Sequence, residues 1–441
     1  MLKQLYARWM YAWETKLTMR DTNRIVRPLE WGFDWLEDWT AGRNLGIPEA
    51  VLSGEQARMQ AAMLRVNESI VQDHEQFFGY KTPTDFRLEE RHPQLYPTNV
   101  RPETLRQDAE LKQLAAEGKL PKARFLRFTS PVKTPYPEND RVNARWYPAP
   151  PEKQPGSPQR PQQPKRPKQA IIVMPQWNAD AFSHNVLCTL FNRFGISALR
   201  LSKPFHDVRR PAELERSDYA VSANIGRTIA ACRQAVVDVR SCLDWLEQQG
   251  YQQFGVLGTS LGSCYAFIAS AHDARLRVNA FNHASLWTGD VVWTGQSTRH
   301  VRAACEAAGL THEDLRMLWS GVSPMAYMDE FAGADAKGGP LDHTPPWPRK
   351  RARVIYAPYD LTFLREFSEA VLREFAKRGV DFDAKVLPCG HYTTGETPYK
   401  YMDGWYLGSF VYTAFKKLAQ EQHDDNRSTP ESEALLHERV F

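Results

Sequence analysis

The apolar positions of this chain change period along its length. Over the first hundred residues Leu5, Trp9, Trp13 and Lys16 recur at helical spacing, and Ser53 with Gln56 reads as a capping box ahead of a helix over 57–71. This predicts a helical N-terminal extension over residues 1–119. The period then shortens: 123–130 and 142–147 read as strands, separated by Pro131, Pro135, Pro137 and the turn residues 138–140, so an antiparallel hairpin is expected. Between residues 148 and 168, eight of 21 residues are proline, a composition that cannot build a core and predicts an extended, solvated loop.

After that loop, strand and helix patterns alternate. Residues 170–174 form the continuous apolar run of a buried parallel strand, and Ser183 opens a helix carrying Val186, Leu187, Leu190, Phe191 and Phe194 up to Gly195. Residues 196–201 read as the next strand. Ile225, Ile229, Cys232, Val236, Val239, Leu243 and Leu246 then step by fours and threes to Gly250, a helix with one apolar face for a sheet. Further strands are expected at 254–257, 278–281, 354–357 and 384–387, and helices at 363–377 and 405–418. The alternation predicts an α/β fold, a mostly parallel central sheet with helices on both faces, over 120–421, followed by a polar tail over 422–441. Residues 288–348 are too long for an ordinary connection and predict a helical cap. In it Thr311 and Asp314 form a capping box for 315–319, and Pro324, Gly333 and Gly338-Gly339-Pro340 supply breaks.

Composition narrows the class. The chain has 441 residues, 42% hydrophobic and 24% charged, with 56 Lys and Arg against 52 Asp and Glu, so it is neither disordered nor marked by a nucleic-acid footprint. Its six cysteines form no C-x-x-C pair, which argues against a zinc site or a disulfide scaffold and for a reduced, cytoplasmic setting. The N-terminus interleaves Lys3, Arg8, Lys16 and Arg20 with aromatic residues and lacks the plan of a signal peptide. The longest run without charge, 248–272, is interrupted by glycine, serine and glutamine and reads as buried core rather than a bilayer span.

Within that run, Gly258-Thr259-Ser260-Leu261-Gly262 falls between an expected strand and an apolar helix, the setting a G-x-S-x-G nucleophile elbow requires. The serine stands on a sharp turn, and its neighbours two places away must lack bulk for the backbone to bend. With this motif the chain resembles the alpha/beta-hydrolase superfamily over roughly 124–418. Through its long N-terminus and a Ser-Pro step before a turn and strand, it more distantly resembles the alpha/beta hydrolase domain-containing protein 18 type.

The resemblance implies an acid after the strand ending at Ala357, where Asp360 stands, and a histidine after the last strand, where His391 follows Gly390. Ser260 would be the nucleophile, His391 its base and Asp360 the group that orients the imidazole. Oxyanion donors would be the N–H of Leu261 and one from the loop after Met174. There Pro175 stands where many relatives have His-Gly and has no N–H, which leaves Trp177, or else Gln176. His283 is the rival base and Asp290 the rival acid. His272, His300, His312, His343, His423 and His437 fall in the elbow helix, the cap, a proline loop or the tail.

His283 and Trp287 are expected to line a substrate pocket; Trp177, Trp287 and Trp293 suit either core or an apolar acyl pocket, and Trp319 suits core. The segment from His206 to Arg210 reads as a solvated structural loop, and Arg349-Lys350-Arg351 as an exposed turn. The expected function is a serine hydrolase of carboxylic esters acting through an acyl-serine, with no metal or other cofactor and a small-molecule ester as partner. Alternatives are an amide or peptide hydrolase with the same triad, or a catalytically silent binding module. The basic, aromatic N-terminal helix suits a membrane interface or packing on the body, and its diluted polar face favours packing. Oligomeric state and natural substrate stay open.

Overall fold

In the computed structural model, which describes residues 2–43, 45, 56–150, 167–337, 339 and 349–427, nine strands form one sheet. They are β1 (Arg87–Arg91), β2 (Ala123–Thr129), β3 (Arg141–Tyr147), β4 (Gln169–Met174), β5 (Ile196–Ser202), β6 (Gln253–Thr259), β7 (Leu276–Asn282), β8 (Arg351–Tyr356) and β9 (Asp381–Val386). Their order across the sheet is β1-β2-β3-β5-β4-β6-β7-β8-β9. The pairings β1·β2, β2·β3 and β3·β5 are antiparallel, and every pairing from β5 to β9 is parallel.

The helices are α1 (Leu2–Thr18), α2 (Gln56–Gln72), α3 (Pro102–Ala116), α4 (Asn185–Arg193), α5 (Ile225–Gln248), α6 (Leu261–Ala271), four short cap helices α7 (Thr288–Thr294), α8 (Arg299–Ala307), α9 (His312–Leu318) and α10 (Met328–Ala332), then α11 (Arg365–Lys377) and α12 (Tyr399–Arg427). Short helical turns lie between them. Strand alternation divides the core. Ile172 and Met174 of β4 face the cluster that contains α5 and α6, while Ile171 and Val173 face the one that contains α4 and α12. The apolar runs read as central strands are therefore buried on both faces.

Four expectations change. The N-terminal extension is not only helical, because Arg87–Arg91 adds the edge strand β1; its Arg-Leu-Glu-Glu-Arg sequence has no apolar alternation, as suits a solvated edge. Helix α5 is buried nearly all round instead of on one face. Leu36, Trp39, Phe77 and Phe78 from the extension lie in its cluster, and Arg233 and Arg240 donate to the carbonyls of Phe77 and Phe78 at 2.6 and 2.8 Å. The last helix begins at Tyr399 and runs on to Arg427, into the segment assigned to the tail. The Thr311–Asp314 capping box forms with both of its hydrogen bonds, but caps α9 from His312. Ser53, the proline-rich residues 151–166, the Gly338 and Pro340 turn positions, His343 and residues 428–441 lie outside the described residues.

Two charged segments read as solvated hold buried charges. Arg209 is fully buried, 2.8 Å from the fully buried Asp238 of α5, and Asp207 pairs with Arg200 of β5. The loop runs under α5, where each cation meets a carboxylate it could not be buried without. Lys350 is also buried, with Nζ donating to the carbonyls of Ser270 and Asp273 at 2.6 and 2.9 Å, so it caps the carbonyl end of α6. Burial lowers its pKa to about 7.

Candidate active site

Register puts the chemistry on one edge. Met174 at the end of β4 pairs with Gly258 of β6, and Thr259 pairs with Asn282 at the end of β7. The loops after β4, β6, β7, β8 and β9 therefore emerge side by side at the carboxyl ends of the parallel strands, where open α/β sheets bind ligands. Ser260, His283, Asp360 and His391 all sit on these loops.

Ser260 has φ 57° and ψ −123°, a backbone region costly to any residue with a side chain, by about 1–3 kcal/mol. The surroundings hold it there. Its N–H donates to Asn282 O at 2.8 Å, and the Ser263 hydroxyl lies 2.6 Å from the carbonyl oxygens of both Ser260 and His283. A Cβ on Gly258 would stand 2.2 Å from Gly262 O, and one on Gly262 would stand 2.2 Å from Met174 O. Both flanking glycines are thus required by backbone, which cannot swing aside as a side chain can. Gly262→Ala is expected to lower the melting temperature and to prevent labelling of Ser260 by a fluorophosphonate; a labelled, equally stable variant would show that the turn tolerates the methyl.

Asp360 uses its two oxygens differently. Oδ1 accepts the N–H groups of Thr362 and Phe363, both at 2.7 Å, and Oδ2 lies 2.9 Å from Nδ1 of His391. One oxygen thus holds the turn after β8, ahead of α11 and not as its helix cap, and the other faces His391. Burial alone would raise the Asp360 pKa, but the facing His391 and His283 hold it well below the usual carboxylate range. Burial pulls the His391 pKa down, and the carboxylates of Asp360 and then Glu14 outweigh it, so the imidazole titrates above its ordinary 6.5. Phe363 stacks on the His391 ring, centroids 5.5 Å apart. Ser260 is 5% exposed, and among the described residues no hydrogen bond joins its Oγ to His391. In unliganded enzymes such bonds are often long and tighten with substrate.

The other expected residues separate. His283, expected as a pocket wall or rival base, is 1% exposed and packs behind the acid. Its Nδ1 is 2.9 Å from the same Asp360 Oδ2 but misaligned for a hydrogen bond, its ring centroid is 4.5 Å from that of His391, and burial lowers its pKa. Asp290 is withdrawn into the cap, bound by Arg316 at 2.7 Å and His312 at 2.9 Å. Trp287 is half-buried with Arg316 over its ring, Trp293 stacks on His312, and Trp319 is core. His272, just past the end of α6, is buried against His74.

Leu261 opens α6, so its N–H belongs to the helix's unsatisfied N-terminal turn. The loop after β4 is braced: Lys203 Nζ donates to Gln176 O, Trp177 Nε1 to Ser217 O, and the Asn178 N–H to His206 Nε2. Here the buried loop after β5 finds its use, since it fixes the backbone around Gln176 and Trp177.

Glu14 escaped the sequence reading. It is fully buried on α1, and its carboxylate accepts the N–H groups of Tyr392 and Thr393 at 2.8 and 2.9 Å and lies 3.1 Å from the Thr393 hydroxyl. A Cβ on Gly390 would come within 2.5 Å of it. The available signal was its place on the stripe Met10, Glu14, Leu17, whose members are all buried: an acid on an apolar face needs a partner inside.

His283, Asp360 and His391 also bring three ligand-type atoms within 4.8 Å of one another. Two histidines and a carboxylate are a known donor set for divalent iron. Here both Nδ1 atoms stand at hydrogen-bond distance from one carboxylate oxygen, which is the spacing of an orienting pair.

No family model and no curated protein matches the chain, so the closer likeness to the domain-containing protein 18 type is taken no further. Solved structures do resemble it. An acetyl xylan esterase from a Thermoanaerobacterium species shares 12% identity at a TM-score of 0.49, over 79% of this chain and 93% of that one. An acetyl xylan esterase from a Paenibacillus species shares 10% at 0.47, over 78% and 92%. The Pyrococcus horikoshii acylaminoacyl peptidase shares 10% at 0.44, over 66% and 45%, so the chain spans less than half that peptidase's length. At such values the fold assignment rests on the chain's own geometry. A strained serine turn after β6, an acid after β8 and a histidine after β9, on a sheet ordered β2-β3-β5-β4-β6-β7-β8-β9, give this protein the alpha/beta-hydrolase fold.

Proposed function

We propose that this protein is a serine hydrolase of carboxylic esters, using Ser260, His391 and Asp360. The observation that carries the reading is Ser260 held at positive φ on the strand edge that also bears the Asp360–His391 pair. The serine Oγ adds to the ester carbonyl while His391 Nε2 takes its proton, and Asp360 holds the other ring nitrogen. The tetrahedral oxyanion faces the N–H groups of Leu261 and Trp177. Collapse breaks the carbonyl–alkoxy bond, and His391 returns its proton to the leaving alcohol. Water then enters, gives a proton to His391 as its oxygen adds to the acyl carbonyl, and collapse breaks the acyl–Oγ bond while His391 returns the proton to Ser260.

Fluorophosphonate labelling tests this, since only an activated serine reacts, and a folded protein that resists the probe would leave the silent binding module standing. A chain-length series of nitrophenyl esters against the matching anilides separates ester from amide hydrolysis. Because His391 must be neutral to act and its pKa is raised, kcat/KM should fall as the pH drops, with an apparent pKa above 6.5. Activity should survive chelation by EDTA; loss that zinc or iron restores would favour the metal reading of the same three residues.

Among the described residues no helix is long and apolar enough to cross a membrane. Helix α1 buries Met10, Glu14, Leu17 and Thr18 against the body, which supports packing over membrane contact, although Leu2, Leu5 and Trp9 are exposed. All six cysteines are free and buried, consistent with the reduced, cytoplasmic setting proposed for it.

A further inference from the structure

Beside the catalytic loops lies a cluster of cationic and unsatisfied groups that the hydrolytic machinery does not use. Arg24, on the segment after α1, has a side chain only 5% exposed. Its Nη2 donates to the Tyr392 hydroxyl at 3.3 Å, while its Nε and Nη1 have no hydrogen-bond partner among the described residues. His300, at the start of α8 in the cap, is 7% exposed, and neither of its ring nitrogens has a partner. It lies parallel to Trp177, ring centroids 5.9 Å apart, and Arg216 sits over the same indole at 5.4 Å. The Ser217 hydroxyl, fully buried beside it, is likewise unpartnered.

Charge in the cluster does not balance. Arg24, Arg27, Arg216 and Arg299 gather around Asp21 and Asp218. Arg216 takes up both acids, at 3.5 Å from Asp21 and 3.2 Å from Asp218, and Arg24 reaches Asp21 only at 3.7 Å. Burial first, and then the nearby Arg216, Arg24 and Arg299, lower the His300 pKa to about 3, so the ring is neutral and offers one N–H donor. A buried donor left without an acceptor is costly, and a guanidinium more so. Arg24, Ser217 and His300 bring these unpartnered groups together from three chain segments.

Position says what that is for. Tyr392 follows His391, and Trp177 stands in the loop proposed to bind the oxyanion, so the cluster borders the reacting centre from two sides. Resting on the serine-hydrolase reading above, we infer that Arg24, His300 and Ser217 form an anion-binding subsite, and that the natural ester carries a phosphoryl or carboxyl group seated there beneath the cap. A planar guanidinium with Nε and Nη1 unpartnered suits either oxyanion, and the neutral ester of the same size would leave them so.

The test begins with the wild-type protein at constant ionic strength. Inorganic phosphate or succinate should slow both fluorophosphonate labelling and hydrolysis of 4-nitrophenyl butyrate, competitively and in the millimolar range, and the stronger of the two identifies the group. Hydrolysis of 4-nitrophenyl hemisuccinate relative to the butyrate should then fall about tenfold or more in Arg24→Gln, and less in Arg24→Lys, which keeps the charge without the fork. If Arg24→Gln does not fold, the wild-type competition and Arg24→Lys still decide. Labelling and turnover that ignore both anions, with equal preference for the two esters, would overturn the subsite and leave the serine hydrolase intact. A chain that takes no label and turns over no ester would overturn both.

Discussion

Ser260→Ala is expected to abolish fluorophosphonate labelling and to lower kcat on an activated ester by about six orders of magnitude, the scale seen when a triad nucleophile is removed. The protein should stay folded, because the Ser260 side chain makes no hydrogen bond that the backbone of the elbow depends on; its N–H and carbonyl carry those. The strain at φ 57° remains with alanine, so stability should change little. Asp360→Asn should cost up to about four orders, since an amide presents the wrong group to the imidazole and loses the charge that stabilises its cation. The substitution also bears on His283. If His391→Ala kept most of the activity while His283→Ala lost it, the second histidine beside Asp360 would be the base, and the assignment from chain order would be wrong.

Glu14→Ala should be nearly as damaging as a triad substitution of moderate effect, about a hundredfold in kcat, although Glu14 lies on α1, far from the elbow in sequence. Two N–H groups and a hydroxyl would lose their acceptor in a buried loop, at about 1–3 kcal/mol for each one left unmade. That loop carries His391. Glu14→Gln separates position from charge: both oxygens now accept backbone N–H groups, so an amide must turn one donor against another. It also removes a negative charge that helps raise the His391 pKa. The groups facing His391 are Asp360, His283, Glu14 and Tyr392, and only Glu14 changes. The acid limb of kcat/KM in Glu14→Gln should therefore move to lower pH than in the wild type. A lowered melting temperature with an unmoved limb would make Glu14 a structural brace and no more. Deleting residues 1–20 should lower both stability and activity; binding to anionic liposomes lost with that deletion, at unchanged melting temperature, would instead assign α1 to a membrane.

Much of this was readable from local pattern. Continuous apolar runs gave the central strands because a parallel strand covered on both faces has no polar side to show, and the spacing from Ile225 to Leu246 gave α5 because one turn of helix repeats every 3.6 residues. Gly258 and Gly262 could be read as an elbow because steric exclusion at a tight turn acts between residues two apart. Asp360 and His391 came from the resemblance to the alpha/beta-hydrolase superfamily and not from local pattern, and the fold brings the two to 2.9 Å.

What failed to show in the sequence depends on partners distant in the chain. Glu14 acts on residues more than 370 positions away, and nothing in its own helix says which loop will accept its charge. The loop from His206 to Arg210 and Lys350 looked like solvated charge, because a charge is read as exposed until its buried counter-charge or carbonyl cap is known, and Asp238 and the end of α6 supply these only in three dimensions. Strand β1 carries no period at all, since an edge strand needs hydrogen bonds from its neighbour and not a hydrophobic face. Local sterics and periodicity are encoded within a few residues and so survive in one dimension; the polar surroundings of Arg24, His300 and Glu14 are a property of surfaces that meet only when the chain has folded.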